Sequence, residues 1–349
     1  MIRQSLTAYG EPLAETETTL PEPKGSEVLI RVASCGVCHS DLHLQDGFFD
    51  LGEGKKLDIK LGRKLPFTLG HEIAGHVEKA GPEAQNVYRQ KFYVVYPWCG
   101  CGKCERCNKG QEHLCDAPRQ LGINIDGGYA SHVLVPHPRY LIDAEGIDAS
   151  LAGSYMCSGL TAFSAIRKVQ RFLSENGSLM IVGLGGVGMM GLEIARSLTS
   201  GSLYAADIAS GKREAALALG AAAAFDPAAP DARKSVVKQA GLMEAAIDFV
   251  GSEASLNFAQ SVVGKGGAVV IVGLMGGKFS LPVPMFPLRE LTLTGSYVGS
   301  LAEARELVTL VREGRVRPIP VNERPLADAN AVFTDLRAGT VSGRVVLRP

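Results

Sequence analysis

The chain has 349 residues, 46% hydrophobic and 21% charged, and its 36 basic and 36 acidic side chains leave a formal net charge of zero. That length exceeds one ordinary core and points to two domains, and a balanced charge without long runs of either sign argues against nucleic-acid or membrane partners. No apolar run approaches the roughly 20 residues that span a bilayer, and Met1–Leu6 has no apolar signal core, so a cytoplasmic protein is expected.

Residues 1 to about 150 read as short strands and loops punctuated by glycine. Val28–Ala33, Val77–Ala80 and Tyr93–Tyr96 are β-rich runs between turn residues. Near Ser158 the pattern changes. Thr161–Val169 is predicted helical, and from Ser178 strand and helix alternate. Ser178–Val182, Leu203–Ala206, Ala245–Val250 and Gly267–Val272 are the apolar strands. Gly186–Leu198 and Ser210–Leu219 are the helices, the second closed by Gly220 at C′. Strands that are apolar throughout, separated by helices of ten or more residues, imply a parallel sheet covered on both faces. Leu301–Arg312 and Leu326–Leu336 are amphipathic, and Gly343–Leu347 returns to strand. The fold class is therefore α/β, with an irregular β domain and a doubly wound parallel-sheet domain.

Three motifs carry chemistry. Cys38-His39-Ser40-Asp41-Leu42-His43 places a thiol, two imidazoles, a hydroxyl and a carboxylate within six residues, enough for part of a soft-metal site with a proton path beside it. Cys101, Cys104, Cys107 and Cys115 have the spacing of a closed tetrahedral zinc site. An iron–sulfur cluster is the other chemistry such a spacing serves. Cys99 stands apart as a bystander. Gly183-Leu184-Gly185-Gly186-Val187-Gly188 is a G-x-G-x-x-G between a predicted strand and helix, as a dinucleotide pyrophosphate requires. Nineteen residues after Gly188, Asp207 ends the next strand. A carboxylate there accepts from an adenosine ribose and repels a 2′-phosphate, favouring NAD over NADP, although Lys212 and Arg213 lie close by.

Together with Leu69-Gly70-His71-Glu72, Pro97-Trp98, Asp126-Gly127-Gly128-Tyr129-Ala130, Cys157-Ser158-Gly159 and Gly343-Arg344, these motifs resemble the zinc-dependent medium-chain alcohol dehydrogenases along essentially the whole chain. Gln111–Gly127 and Leu65–Gly75 look most like the tetrameric NAD-dependent branch of thermophilic archaea and related bacteria. The resemblance implies a GroES-like catalytic domain (1–157 and 298–349), a Rossmann NAD-binding domain (158–297), an active site in the cleft between them, and a homotetramer. It implies hydride transfer between an alcohol or carbonyl substrate and NAD, with two zinc ions per subunit. By family position Cys38, His71 and Cys157 are the catalytic zinc ligands, Glu72 is an alternative ligand, and Asp41 orients the ligand histidine. Ser40 and His43 form the proton relay. His39, Thr161, Lys212, Val250, Val272, Leu274, Val298 and Arg344 join Gly183, Gly185, Gly186, Val187, Gly188 and Asp207 as cofactor contacts. Phe49, Trp98, Ile123, Leu274 and Tyr297 form the substrate wall.

Two departures from the resemblance stand out. Gln120 occupies a position where the similar branch has a large aromatic, which bears on the pocket entrance. Tyr88-Arg89-Gln90-Lys91 replaces a Gly-Asp turn. Other readings share the scaffold: a zinc-free quinone reductase, which would lack the ligand set, and a non-enzymatic NAD-binding protein. Polyol dehydrogenases differ at the third ligand position, where Cys157 stands.

Overall fold

Two sequence patterns become two units. The computed structural model describes residues 1–60 and 62–349. The first unit holds Met1–Phe48, Asp58–Leu160 and Gly299–Pro349; the second holds Phe49–Leu57 and Thr161–Val298.

In the first unit the main sheet runs Leu141–Asp143, Phe92–Val95, Glu72–Ala80, Val28–Gly36, Arg344–Arg348, Val321–Pro325, with His132–Val135 also paired to Val28–Gly36. Its hub, Val28–Gly36, pairs antiparallel with Glu72–Ala80, so that Gly36 lies opposite Glu72 and Cys35 opposite Ile73. This register puts the start of the Cys38 segment beside His71. Helix His39–Asp46 follows directly and was not anticipated from sequence, because eight residues rich in His, Asp and Ser show no clear apolar period. Asp41 is the third helical residue. Cys38 is the cap, and Asp41 Oδ2 accepts from the Cys38 amide at 3.0 Å. Helix Leu301–Arg312 forms where its pattern predicts. Ser300 and Glu303 close a capping box, and Leu301, Ala304, Leu307 and Val308 are buried on one face.

The second unit has six parallel strands in the order Ala223–Phe225, Ser202–Ala206, Ser178–Val182, Met243–Asp248, Val263–Ile271, Thr292–Gly295. Numbered along the chain this is 3-2-1-4-5-6, a doubly wound sheet whose order reverses beside Ser178–Val182. Leu179, Met180, Ile181 and Val182 are all 1% exposed or less, as a strand covered on both faces requires. Strand Met243–Asp248 lies two residues before the expected Ala245–Val250, and Ser202–Ala206 starts one residue before Leu203. Val263–Ile271 begins before the expected Gly267, because Gly264, Gly266 and Gly267 disguise a strand that carries a register irregularity opposite Met243 and Ala245. The alanine run after Gly220 contributes Ala223–Phe225, a short edge strand with little β propensity of its own. Residues 49–57 pack with this unit: Lys278 Nζ lies 3.0 Å from Glu53 Oε1. Among the described residues no helix is long and apolar enough to cross a membrane.

Candidate metal centres and dinucleotide loop

Three segments of the first unit bring a buried cluster together. Cys38 caps its helix. His71 sits between Gly70 and the strand beginning at Glu72. Cys157 joins a short 3-10 turn, Gly153–Met156, to helix Ser158–Val169. One donor atom from each of Cys38, His71, Glu72 and Cys157 lies within 4.8 Å of every other, and all four residues are buried. The two sulfurs are 3.9 Å apart. A tetrahedron of sulfurs about zinc has edges of about 3.8 Å, given Zn–S near 2.3 Å, so the spacing fits one ion.

His71 supplies the clearest sign of fit. The imidazole is fully buried and neither ring nitrogen makes a hydrogen bond, a costly state for a polar group. Asp41 Oδ1 lies 3.3 Å from Nδ1, close but outside hydrogen-bond geometry. A cation at Nε2 would satisfy that nitrogen, with Asp41 fixing the ring. The electrostatics agree. Burial works against a charged His71, but Asp41 and Cys38 outweigh it and the pKa is raised well above the usual value, the mark of a site with negative charge to spare. The hydrogen bond with Cys157, then His71, draws the Cys38 thiol down against burial, while Cys38 and burial push Cys157 up.

The surroundings constrain the ligands. Trp98 lies with its ring centroid 5.5 Å from that of His71, and its Nε1 donates to the Met156 carbonyl at 2.8 Å, next to Cys157. Glu72 Oε1 accepts from Arg344 Nη2, while Glu72 Oε2, Arg344 Nε and Ser154 Oγ are buried without partners. Burial raises the Glu72 pKa despite Arg344. Arg344, expected at a cofactor phosphate, is thus engaged by Glu72 and only 6% exposed. Ser40 Oγ lies 3.7 Å from Cys38 Sγ. His43 is half-buried on the same helix and His39 is exposed at its start. Ile123 is half-buried, and its carbonyl accepts from Arg63 Nε. Gln120 is 5% exposed and its carbonyl closes a turn on the amides of Asn124 and Ile125 at 2.8 and 3.1 Å. The Tyr88–Lys91 segment is itself a turn, with the Lys91 amide 3.2 Å from the Tyr88 carbonyl, so no Gly-Asp pair is required there.

The second cluster is the cysteine lobe. Sγ separations are 3.5 Å for Cys104–Cys107, 3.7 Å for Cys104–Cys115 and 4.0 Å for Cys101–Cys107. These again fit one ion in a closed tetrahedron, whereas an iron–sulfur cluster places several ions between its ligands and needs wider spacing. The amides of Cys101 and Ala117 donate to Cys115 Sγ at 3.3 and 3.4 Å. Donation from the Lys103 and Cys104 amides draws Cys101 down to about 6, whereas burial and neighbouring thiols push Cys107 up to about 12. Cys99 is outside the four-sulfur set; its buried thiol faces the Tyr96 carbonyl at 3.5 Å.

The glycine loop lies in the second unit, between strand Ser178–Val182 and helix Gly186–Leu198. Gly183 has φ +86°, a left-handed turn. A side chain at Gly188 would begin 1.8 Å from the Gly183 carbonyl oxygen, whereas one at Gly185, the helix cap, meets no described atom within 4 Å. Gly185 therefore faces open space at the positive end of the helix. Asp207 does more than end a strand: Oδ2 accepts from the Leu184 amide at 2.7 Å and Oδ1 from the Ala209 amide at 2.9 Å. Arg213 Nη1 donates to the carbonyls of Asp207 and Ile208 at 2.7 and 2.9 Å and pairs with Asp226 at 3.5 Å. Lys212 and Thr161 are half-buried. Asp248 Oδ1 holds the amides of Val250 and Gly251, and its carbonyl accepts from Val272. Leu274 and Tyr297 are 46% and 42% exposed, Phe49 is half-buried, and Val298 has φ +39°.

Sequence reasoning missed two partners in the first unit: Arg344 for Glu72, and Tyr129, whose hydroxyl donates to Asp41 Oδ2 at 2.7 Å. Tyr129 appeared only within a glycine motif. The usable signal was general: a buried tyrosine hydroxyl finds a partner.

Comparison with known proteins places this geometry. Residues 24–145 match the alcohol dehydrogenase GroES-like domain and residues 186–313 the zinc-binding dehydrogenase domain. The chain is 37% identical over 347 residues to an NAD-dependent alcohol dehydrogenase of Sulfurisphaera tokodaii, covering 99% of both. It is 37% identical over 350 residues to one of Saccharolobus solfataricus, again covering 99% of both. The crystal structure of the alcohol dehydrogenase from Aeropyrum pernix superposes with a TM-score of 0.90 at 32% identity over the full length of both chains. The chain belongs to the zinc-dependent medium-chain alcohol dehydrogenases, an oxidoreductase family built from a GroES-like domain and a Rossmann domain.

Proposed function

We propose that this chain is an NAD-dependent, zinc-dependent alcohol dehydrogenase that interconverts primary and secondary alcohols, aromatic ones included, with their aldehydes and ketones. We assign it two zinc ions per subunit, a cytoplasmic setting and a homotetrameric assembly. The observation that carries the reading is the buried set Cys38, His71 and Cys157, in which two sulfurs and an otherwise unpartnered imidazole converge within 4.8 Å. Three such ligands leave one position for a substrate oxygen, unlike the closed four-sulfur lobe.

When bound, zinc supplies a Lewis acid that favours ionisation of an alcohol hydroxyl, and NAD supplies the hydride acceptor. The protein's own residues do the rest. Ser40, beside Cys38, takes up the substrate proton through its hydroxyl. His43 receives it further out: burial, then the charge of His39, holds its pKa below the usual value, so the imidazole is neutral and able to accept at neutral pH. Asp41 keeps the His71 ring in place, and Glu72, held by Arg344, stands as a reserve ligand. Trp98 walls the centre with apolar surface. In the second unit the helix cap at Gly185 and the Leu184 turn, pinned by Asp207, bind the pyrophosphate. Arg213 is occupied by two backbone carbonyls and Asp226, which supports NAD over NADP, since it is not a free guanidinium waiting for a 2′-phosphate.

The test is a screen of primary, secondary, benzylic and diol substrates with NAD and with NADP, together with Cys38→Ser. We expect NAD reduction by alcohols, and a variant that binds NAD but does not turn over. A Cys38→Ser enzyme of full activity, or a wild-type chain inert toward every alcohol, would overturn the assignment.

A further inference from the structure

We propose that Tyr129 is a positioning residue for the catalytic metal centre, holding through one hydroxyl the carboxylate that aligns two of its ligands. Asp41 is fully buried and its two oxygens have different duties. Oδ2 accepts from the Cys38 amide at 3.0 Å and from Tyr129 Oη at 2.7 Å, which leaves Oδ1 facing His71 Nδ1 at 3.3 Å. Without the tyrosine hydroxyl, Oδ2 keeps one partner and the carboxylate is free to turn about its last bond, carrying Oδ1 away from the imidazole.

A second contact comes from the ring. Gly70, immediately before His71, has φ +92°, and a side chain there would begin 2.5 Å from Tyr129 Cδ1. The Gly70 backbone, one residue before His71, thus lies close against the tyrosine ring. The amides of Tyr129 and Gly128 donate to the carbonyls of Leu69 and Gly70 at 3.0 and 2.7 Å. Phe333 packs edge-on with the ring at a centroid distance of 6.1 Å. Tyr129 therefore bears on His71 in two ways: its ring packs against Gly70, the residue before it, and its hydroxyl holds Asp41, which faces the imidazole.

The inference rests on the zinc reading of Cys38, His71 and Cys157, so the experiment first counts metal in the wild-type holoenzyme; a count other than two zinc per chain fails that reading, whatever Tyr129 does. The variant is Tyr129→Phe, which keeps the ring and removes only the hydroxyl. Zinc release to a chelator is then followed in both proteins, with the four-cysteine ion as internal standard. Loss of an outer hydrogen bond to a metal-aligning group typically weakens metal affinity 10- to 100-fold. We expect the catalytic zinc of the variant to bind at least about tenfold more weakly, the other ion to be retained as in wild type, and the dissociation constant for NAD to be unchanged. Phe333→Leu, which loosens the ring and leaves the hydroxyl, should lower Tm without loosening either ion. Equal zinc retention in folded Tyr129→Phe overturns the proposal. So does equal loss of both ions, or a variant that cannot fold, since the hydroxyl would then serve the fold rather than the metal.

Discussion

Replacing Gly185 with alanine should separate cofactor binding from folding. In the free protein the added methyl meets no described atom within 4 Å, and the backbone at this helix cap (φ −71°) already suits an L-residue. Alanine caps a helix less well than glycine, so the cost to stability is at most about 1 kcal/mol, a Tm change of no more than ~3 °C. Cofactor binding should respond quite differently. The methyl occupies the line along which a pyrophosphate approaches the helix amides, and each charge-assisted hydrogen bond lost there is worth about 1.5–3 kcal/mol. The dissociation constant for NADH, read by fluorescence titration, should rise roughly 10- to 150-fold per bond lost.

Gly188→Ala is the contrasting case. Its methyl would lie 1.8 Å from the Gly183 carbonyl oxygen, a backbone atom that cannot swing aside. Overpacking of this kind costs about 1–3 kcal/mol or more, so Tm and cofactor binding should fall together. Gly183→Ala combines a left-handed φ of +86° with a contact of 2.4 Å to Val250 Cγ2, and should behave like Gly188→Ala. If Gly185→Ala binds NADH as tightly as the parent, or melts far below it, the placement of the phosphate at Gly185 is wrong.

Two further outcomes follow from the first unit. Complete metal removal from the cysteine lobe should expose the amides of Cys101 and Ala117 to hydrogen exchange, because both donate to Cys115 Sγ and the loop loses the ion that would hold its four sulfurs together; unchanged protection would refute a structural metal. Acid should also weaken this unit through Asp148, whose carboxyl is held below its usual range by the Ser150 hydroxyl and amide at 2.7 and 2.9 Å. A depressed carboxylate contributes stability above its unfolded pKa, near 4, and loses it as pH falls through the lower folded value. Ser150→Ala should therefore reduce Tm at pH 7 and flatten its decline below about pH 4; an identical acid limb would remove Asp148 from the account.

What the sequence determined by itself was what depends on neighbours along the chain. The G-x-G-x-x-G between strand and helix, the C-x2-C-x2-C-x7-C spacing, the amphipathic pattern of Leu301–Arg312 and the apolar strands of the second unit are short-range patterns. Each is set by backbone periodicity or by the reach of one loop, and each can be read without the fold. Family resemblance added His71 and Cys157 to Cys38, a grouping that no local pattern contains. The tertiary structure alone decided the partners of the ligands. Tyr129 reaches Asp41 from 88 residues away, and Arg344 reaches Glu72 from 272. Neither pairing has a period or a spacing: Arg344–Glu72 depends on how strands Val28–Gly36, Glu72–Ala80 and Arg344–Arg348 align in one sheet, and Tyr129–Asp41 on the docking of the Gly128 and Tyr129 amides onto the Gly70 and Leu69 carbonyls. The same holds for Asp207: from sequence it is a carboxylate awaiting a ribose, but in the fold both its oxygens also pin the loop that follows Gly183 and the turn before Ser210. Burial is the physical reason for the difference. A polar group carried into the core must find a partner there, and only the folded chain determines which one is within reach.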